Sequence, residues 1–217
     1  MEASPISHLD TLFLIAVGSM LLVFGIRAAL GYRHYKGSIY PHIYDNYLFD
    51  YYYKLNINRD ASDSAKLKKQ LGHHRLVYAN ITNKEGKLVS QILSAIHPKG
   101  ILAIAYLNTS GKLEGKETGD WLIHRVEDGK QKKYKIENPA VYLKDYVAHL
   151  KEVTGKDIQT AIAVNDGVDV TNVHTSFKVI KYSELDELFG QADAGYGLND
   201  SEIDEIFEKL GGKIDKK

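Results

Sequence analysis

The chain reads as an α/β protein with a mixed central sheet flanked by helices, preceded by one N-terminal transmembrane helix. Three stretches predict this. Residues Ile101 to Leu107 are a short apolar run between two turn signals, His97-Pro98-Lys99-Gly100 and Asn108-Thr109-Ser110-Gly111. Such a run reads as a strand buried on both faces. Asn138-Pro139 opens a helical stretch between strand-type runs, an N-cap followed by proline at the first helical position. Residues 11–30, TLFLIAVGSMLLVFGIRAAL, form the one long apolar segment. Twenty helical residues at about 1.5 Å each cover about 30 Å, one hydrocarbon core.

Composition narrows the partners. Lysine plus arginine and aspartate plus glutamate stand at 28 each, so no global charge draws the chain to nucleic acid or anionic lipid. The absence of cysteine excludes disulfides and thiolate-ligated metal.

The apolar segment is read as an anchor that places residues 11–31 in a lipid bilayer, after a short extracytoplasmic tail, residues 1–10. A cleaved signal peptide needs a basic start, whereas MEASPISHLD carries Glu2 and Asp10 and neither lysine nor arginine. Arg27, Arg33 and Lys36 lie at and beyond the far end. The positive-inside rule then predicts a cell-membrane protein with its N-terminus outside and its C-terminal domain in the cytoplasm.

Residues 32–60 form a tyrosine-rich juxtamembrane segment. Tyr44, Tyr47, Leu48 and Tyr51 are at helical spacing, which predicts a short amphipathic helix lying on the membrane or on the domain. Tyr44, Tyr47 and Tyr51 are candidates for a partner-binding patch. Residues 61–71 read as a helix stopped by Gly72. Strands are predicted at Arg75–Ile81, Lys87–Ile96 and Ile101–Leu107. A hairpin follows over Trp121–Val126 and Lys132–Glu137, turning at Glu127-Asp128-Gly129-Lys130. The helix after Asn138 carries Leu143, Val147, Leu150 and Val153 on one face and ends at Gly155. Strands at Ile158–Val164 and Phe177–Ile180 complete the set. Ser183 with Asp186 predicts a cap for a brief helix, and Gly190–Gly197 reads as a linker. Ser201 and Asp204 predict a capping box for a last amphipathic helix, whose stripe Ile203, Phe207 and Leu210 is a second candidate partner-binding surface. Residues 61–189 are taken as the main domain and 190–217 as linker and C-terminal helix.

From about Ala61 to Leu188 this order resembles the nuclease-related domain, NERD, a branch of the restriction-endonuclease-like nucleases. The resemblance rests on Ser90-Gln91-Ile92 leading to Pro98-Lys99-Gly100, on Ile101–Leu107 followed by Asn108-Thr109-Ser110-Gly111, on the lone Trp121, and on Asn138-Pro139. It implies a restriction-endonuclease-like fold and a bacterial source. The family's catalytic positions are replaced. Ala105-Tyr106-Leu107 stand where it has Glu-x-Lys, Ile92 or Leu93 where it has Asp, and Tyr142 where N-P-x-x-Q has its glutamine. Phosphodiester hydrolysis of that type needs a hard divalent cation on carboxylates and a cation for the developing charge. An apolar strand face of Ala103, Ala105 and Leu107 offers neither.

The resemblance therefore implies a catalytically inactive, membrane-anchored domain, a scaffold or binding module without metal or cofactor. Its expected partner is another membrane or cytoplasmic protein. Two further readings are weighed beside it. In one, a Mg-dependent nuclease uses migrated residues, with Glu85, Glu114, Glu117, Asp120, Lys99 and Lys112 as candidates. In the other, a module binds nucleic acid without cleaving it, through Lys130, Lys132, Lys133 and Lys135 on the phosphates and Tyr134 on a base. His73-His74, His97 and His124 match no metal-site spacing.

Overall fold

A computed structural model describes residues 8–57, 61–82, 85–192 and 197–213 of the 217. It divides at Gly37 into two compact units. The first is helix α1, His8–Lys36. Over Asp10–Lys36 this helix is long and apolar enough to cross a membrane, and its most apolar window buries none of its residues within the protein.

The second unit starts at Ser38, earlier than the expected boundary at residue 61. The tyrosine-rich stretch supplies core to it: Ile39, Ile43 and Tyr44 are fully buried. A 3₁₀ turn, Tyr40–His42, holds Pro41, and a π-helix runs from Tyr47 to Ile57. Its wide ladder begins at Asn46, whose carbonyl accepts from both Asp50 N (2.9 Å) and Tyr51 N (3.0 Å). Helix α2 spans Ala65–Leu71, shorter than predicted because Ser64 caps it, its Oγ accepting from Leu67 N at 3.3 Å.

Strands β1 (Arg75–Thr82), β2 (Leu88–His97) and β3 (Gly100–Leu107) form an antiparallel meander. Strands β4 (Lys112–Gly115), β5 (Trp121–Glu127) and β6 (Lys130–Ile136) follow. The β5–β6 turn has Asp128 and Gly129 both at positive φ (53° and 72°), the geometry for which Asp-Gly is selected in two-residue hairpins. Helix α3 (Pro139–Thr154) then carries the chain across to β7 (Ile158–Val164), parallel to β3. After β8 (Asp169–Val173), strand β9 (Lys178–Lys181) adds parallel to β7. The resulting sheets are a mixed five-stranded one, β1-β2-β3-β7-β9, and a four-stranded one, β6-β5-β4-β8. The first is the predicted mixed sheet flanked by helices. The second extends the predicted hairpin by β4 and β8, short strands that escaped prediction.

Two caps differ from expectation. A 3₁₀ turn, Tyr182–Glu184, precedes helix α4 (Leu185–Gln191), and Glu184 Oε2 accepts from Lys181 N at 2.6 Å. Ser183 does not cap; its amide donates to Asp166 Oδ1 at 2.8 Å. Helix α5 (Asp200–Lys209) is capped by the reciprocal pair Asn199 and Glu202, two residues before the predicted box. Asn caps as well as Ser, and the earlier start releases Asp204 to bond with Arg75. Gly190 lies inside α4, and residues 193–196 of the expected linker fall outside the described residues.

Candidate functional site

The register of the main sheet decides what stands at the positions of interest. Ile92 pairs with Ala105, and Ala105 with Ile162 on β7. Directly paired residues point to one face, so Ile92, Ala105 and Ile162 form a row. All three are fully buried in one apolar cluster with Leu143 and Leu150 of α3 and Ile203 and Phe207 of α5. Leu93, also fully buried, alternates to the opposite face. Leu107, at the end of β3, is half-buried. Tyr142 is half-buried on α3 and donates from its hydroxyl to Glu137 Oε2 at 3.0 Å.

Leu107 opens onto a cleft of about 500 Å³ between the end of β3 and the β5–β6 hairpin, with Lys87, Arg125 and Lys135 as its cations and Asp120 and Glu137 as its acids. Both acids are engaged, Asp120 with Lys135 Nζ at 2.5 Å and Glu137 with the Tyr142 hydroxyl. Arg125 is committed too: its Nε donates to the Ser110 carbonyl (3.1 Å) and its guanidinium to Thr109 Oγ1 (3.0 Å). One of the two carboxylates is already neutralised by an ammonium group, which weakens the pair as ligands for a hard cation. Among the described residues no three of His, Asp or Glu gather in a metal-binding group.

The other acids considered for a migrated centre are dispersed. Glu114 faces His124 Nε2 at 3.0 Å. Glu117 clamps the segment before β9, accepting from Ser176 N (2.7 Å), Ser176 Oγ (2.8 Å) and Thr175 Oγ1 (2.8 Å). Those bonds, the Ser176 amide foremost, lower its pKa. Glu85 is exposed at the β1–β2 turn.

The basic hairpin is partly neutralised. Lys132 meets Glu127 at 3.0 Å and Lys135 meets Asp120, which raises both lysine pKa values. Lys130 and Lys133 are exposed. Tyr134 donates to Glu127 Oε2 at 2.6 Å, and the Arg125 guanidinium lies 5.7 Å from its ring centroid, so one ring face is already covered.

The two candidate partner surfaces turn inward. Tyr44 is fully buried and Tyr51 nearly so, and Tyr47 stacks on Tyr51 with centroids 5.5 Å apart. Tyr44 shares a hydroxyl hydrogen bond with Tyr78 (3.1 Å), and burial raises the pKa of both phenols. Tyr40 and Tyr106 bond within the same group, their pKa values likewise raised by burial. Neutral rings with paired hydroxyls are cheap to bury, so this aromatic set became core. Ile203 and Phe207 are buried on the parent domain and Leu210 is half-buried against the same cluster.

Several organising residues carried a sequence signal that pointed only partway. Asn138 caps α3, its Oδ1 accepting from Ala140 N at 2.9 Å. Its Nδ2 also donates to the carbonyls of Lys116, Glu117 and Gly119, fixing the loop after β4. Trp121 is fully buried and donates to the Lys116 carbonyl at 2.9 Å. Its indole lies on Gly115, where a Cβ would come within 2.5 Å of the ring. Asn165 reaches back to the end of β3, accepting from Thr109 N at 2.6 Å.

One histidine has a clear structural role. His74 is buried with both nitrogens occupied: Nδ1 donates to the Gly72 carbonyl (2.9 Å) and Nε2 accepts from Ser64 N (2.9 Å). Burial lowers its pKa and that of His42. Below pH about 6.5 the unfolded chain therefore takes up protons that the folded one refuses, so stability falls as the medium is acidified from neutrality toward the depressed folded pKa values. Urea midpoints between about pH 7.5 and pH 5 should decline. His74→Gln, which keeps a donor and an acceptor without titrating, should flatten the decline. An unchanged slope in that variant would remove His74 from this account.

No family model, curated protein or solved structure matches the chain.

Proposed function

We propose that this protein is a membrane-anchored, catalytically inactive domain of the nuclease-related, restriction-endonuclease-like type, serving as a scaffold or binding module at the cytoplasmic membrane face. The observation that carries the proposal is the row Ile92, Ala105 and Ile162, with Leu107 beyond it. The positions where the resembling family carries Asp, Glu and Lys hold apolar side chains, and two of the three are sealed in the core. The register favours Ile92 over Leu93 as the former Asp position, because Ile92 shares the face of Ala105. The order α2, meander β1-β2-β3, crossover α3 and parallel β7 is compatible with the fold class the resemblance implies.

The full chain in detergent should leave DNA and RNA uncut with Mg²⁺ or Mn²⁺. Loss of one preorganised group alone costs about 10²–10³-fold in rate, and here three are replaced. Metal-dependent cleavage that vanishes in Asp120→Asn or Glu114→Gln would establish a migrated centre instead.

The basic flank Arg27, Arg33 and Lys36 supports a cytoplasmic domain. Single cysteines at Ser4 and Ser201 should respond oppositely to an impermeant thiol reagent on intact cells, with labelling at position 4 only. Labelling at 201 alone would invert the orientation.

A further inference from the structure

The π-helix has a second face. While Tyr51 points into the domain, Leu48, Phe49, Tyr53 and Ile57 are exposed, with Phe49 at 73% and Tyr53 and Ile57 above half. Phe49, Tyr53 and Ile57 recur every fourth residue, so the exposed apolar groups form a stripe rather than a scatter. The helix's own charges do not interrupt it: Asp50 and Lys54 face each other at 3.6 Å, and Lys54 Nζ also reaches Asp63 at 2.8 Å. A run of four large apolar or aromatic side chains on one short helix is more than the isolated exposed hydrophobics of an ordinary surface. An eleven-residue π-helix is itself uncommon, since this geometry is met mostly as single-turn bulges.

Chain connectivity indicates what covers the stripe. Only Gly37 separates Lys36, the last residue of α1, from Ser38, the first residue of the folded domain. Ser38, Ile39, Ile43 and Tyr44 are all buried, so no free tether intervenes before the π-helix. A chain anchored through residues 11–31 thus reaches its domain six residues beyond the apolar span, five of them still helical. Phe and Tyr with aliphatic neighbours and no net charge suit the headgroup–acyl boundary, where aromatic side chains of membrane proteins concentrate.

We propose that Leu48, Phe49, Tyr53 and Ile57 insert into the headgroup–acyl boundary of the bilayer that holds α1, fixing the domain against the membrane surface. This rests on the anchor reading of α1 and adds to it a second, interfacial contact. Because the contact is apolar, it should survive high salt.

The chain has no cysteine, so single introduced cysteines are clean labelling sites. Full-length Phe49→Cys, Tyr53→Cys, Leu21→Cys and Lys130→Cys would each carry an NBD fluorophore. They would be reconstituted into phosphatidylcholine–phosphatidylglycerol vesicles containing lipids spin-labelled at shallow or deep acyl positions. Shallow labels should quench positions 49 and 53 about threefold more than position 130, as insertion by about 5–10 Å requires. The quenching should persist in high salt, and deep labels should quench position 21. Quenching at 21 with none at 49 and 53 overturns the interfacial contact and leaves the anchor standing. Quenching at 49 and 53 without 21 upholds the contact and removes the anchor. Equal quenching at 49, 53 and 130 would deny the stripe any special role. Blue-shifted emission at 49 and 53 that lipid labels do not quench would assign the stripe to a second copy of the chain and likewise overturn the proposal.

Discussion

Ala105→Glu should cost the domain several kcal/mol, whereas Leu107→Lys two residues later should be tolerated. Ala105 is fully buried, with Ile92 across one edge of β3 and Ile162 across the other. A glutamate there adds volume to a packed core, at about 1–3 kcal/mol, and places an unpaired carboxylate in it, at about 3–5 kcal/mol more. Domains of this size are stable by about 5–15 kcal/mol, so most of that margin is consumed. Leu107 is half-buried at the mouth of the β3 cleft, where a lysine stem can lie along the wall with its ammonium in water, at a cost of about 1 kcal/mol or less. Trp121, the only tryptophan and fully buried, reports the transition in urea. Ala105→Gln separates volume from charge, and the Glu variant should recover part of its stability at low pH as the carboxyl is protonated. An Ala105→Glu protein within about 1 kcal/mol of wild type at neutral pH would mean the site still accommodates a charge, and the case for a sealed, inactive centre would fail.

The same two residues show what the sequence could and could not disclose. That β3 is a strand buried on both faces was legible from seven apolar residues between turn signals, because burial on both faces leaves no polar alternation to misread. Helix α3 was legible because Asn138, Pro139 and Gly155 mark its ends by local backbone chemistry. Strands β4 and β8 were not. Lys112–Gly115 is too short for a period to emerge and takes its place between β5 and β8, while Asp169–Val173 is polar on a sheet edge and is defined by pairing with β4 more than fifty residues away. The tyrosines misled for a related reason. Tyr44, Tyr47 and Tyr51 have helical spacing, yet only Tyr47 and Tyr51 lie on the π-helix, and spacing identifies a face without saying which side meets the core. Tyr78 and Tyr106, the partners that draw the inward face down, sit on strands far along the chain. The cleft at the end of β3 was invisible for the same cause, since Lys87, Asp120 and Glu137 meet there only once both sheets are formed.

Phe207→Asp should cost the domain several kcal/mol, and the loss should be global. Helix α5 lays Ile203, Ile206 and Phe207 onto the cluster that holds Ile92, Ala105 and Trp121, with exposures of 0%, 6% and 5%. Truncating such a phenylalanine to alanine removes about 3–5 kcal/mol. The site is also tightly shaped: a Cβ on Gly212 would stand 2.4 Å from the ring, and the Arg75 guanidinium lies 5.7 Å from its centroid. Arg75 is held there by Asp204, its Nε donating to Oδ1 at 2.7 Å, and that bond leads the causes that lower the Asp204 pKa. An aspartate at 207 would gain partial compensation from this guanidinium, so Arg75→Met should destabilise the Phe207→Asp protein more than it destabilises wild type, a coupling readable in a double-mutant cycle. Glu208→Ala, one residue on and exposed, should stay within about 0.5 kcal/mol. Because Phe207 and Trp121 belong to one contiguous cluster, urea should unfold the variant earlier by tryptophan fluorescence, and hydrogen exchange should accelerate in β1 and β2 as well as in α5. Faster exchange confined to α5, with the tryptophan transition unmoved, would show that the helix is an appendage that can leave without disturbing the sheet, and the integral role assigned to it here would be wrong.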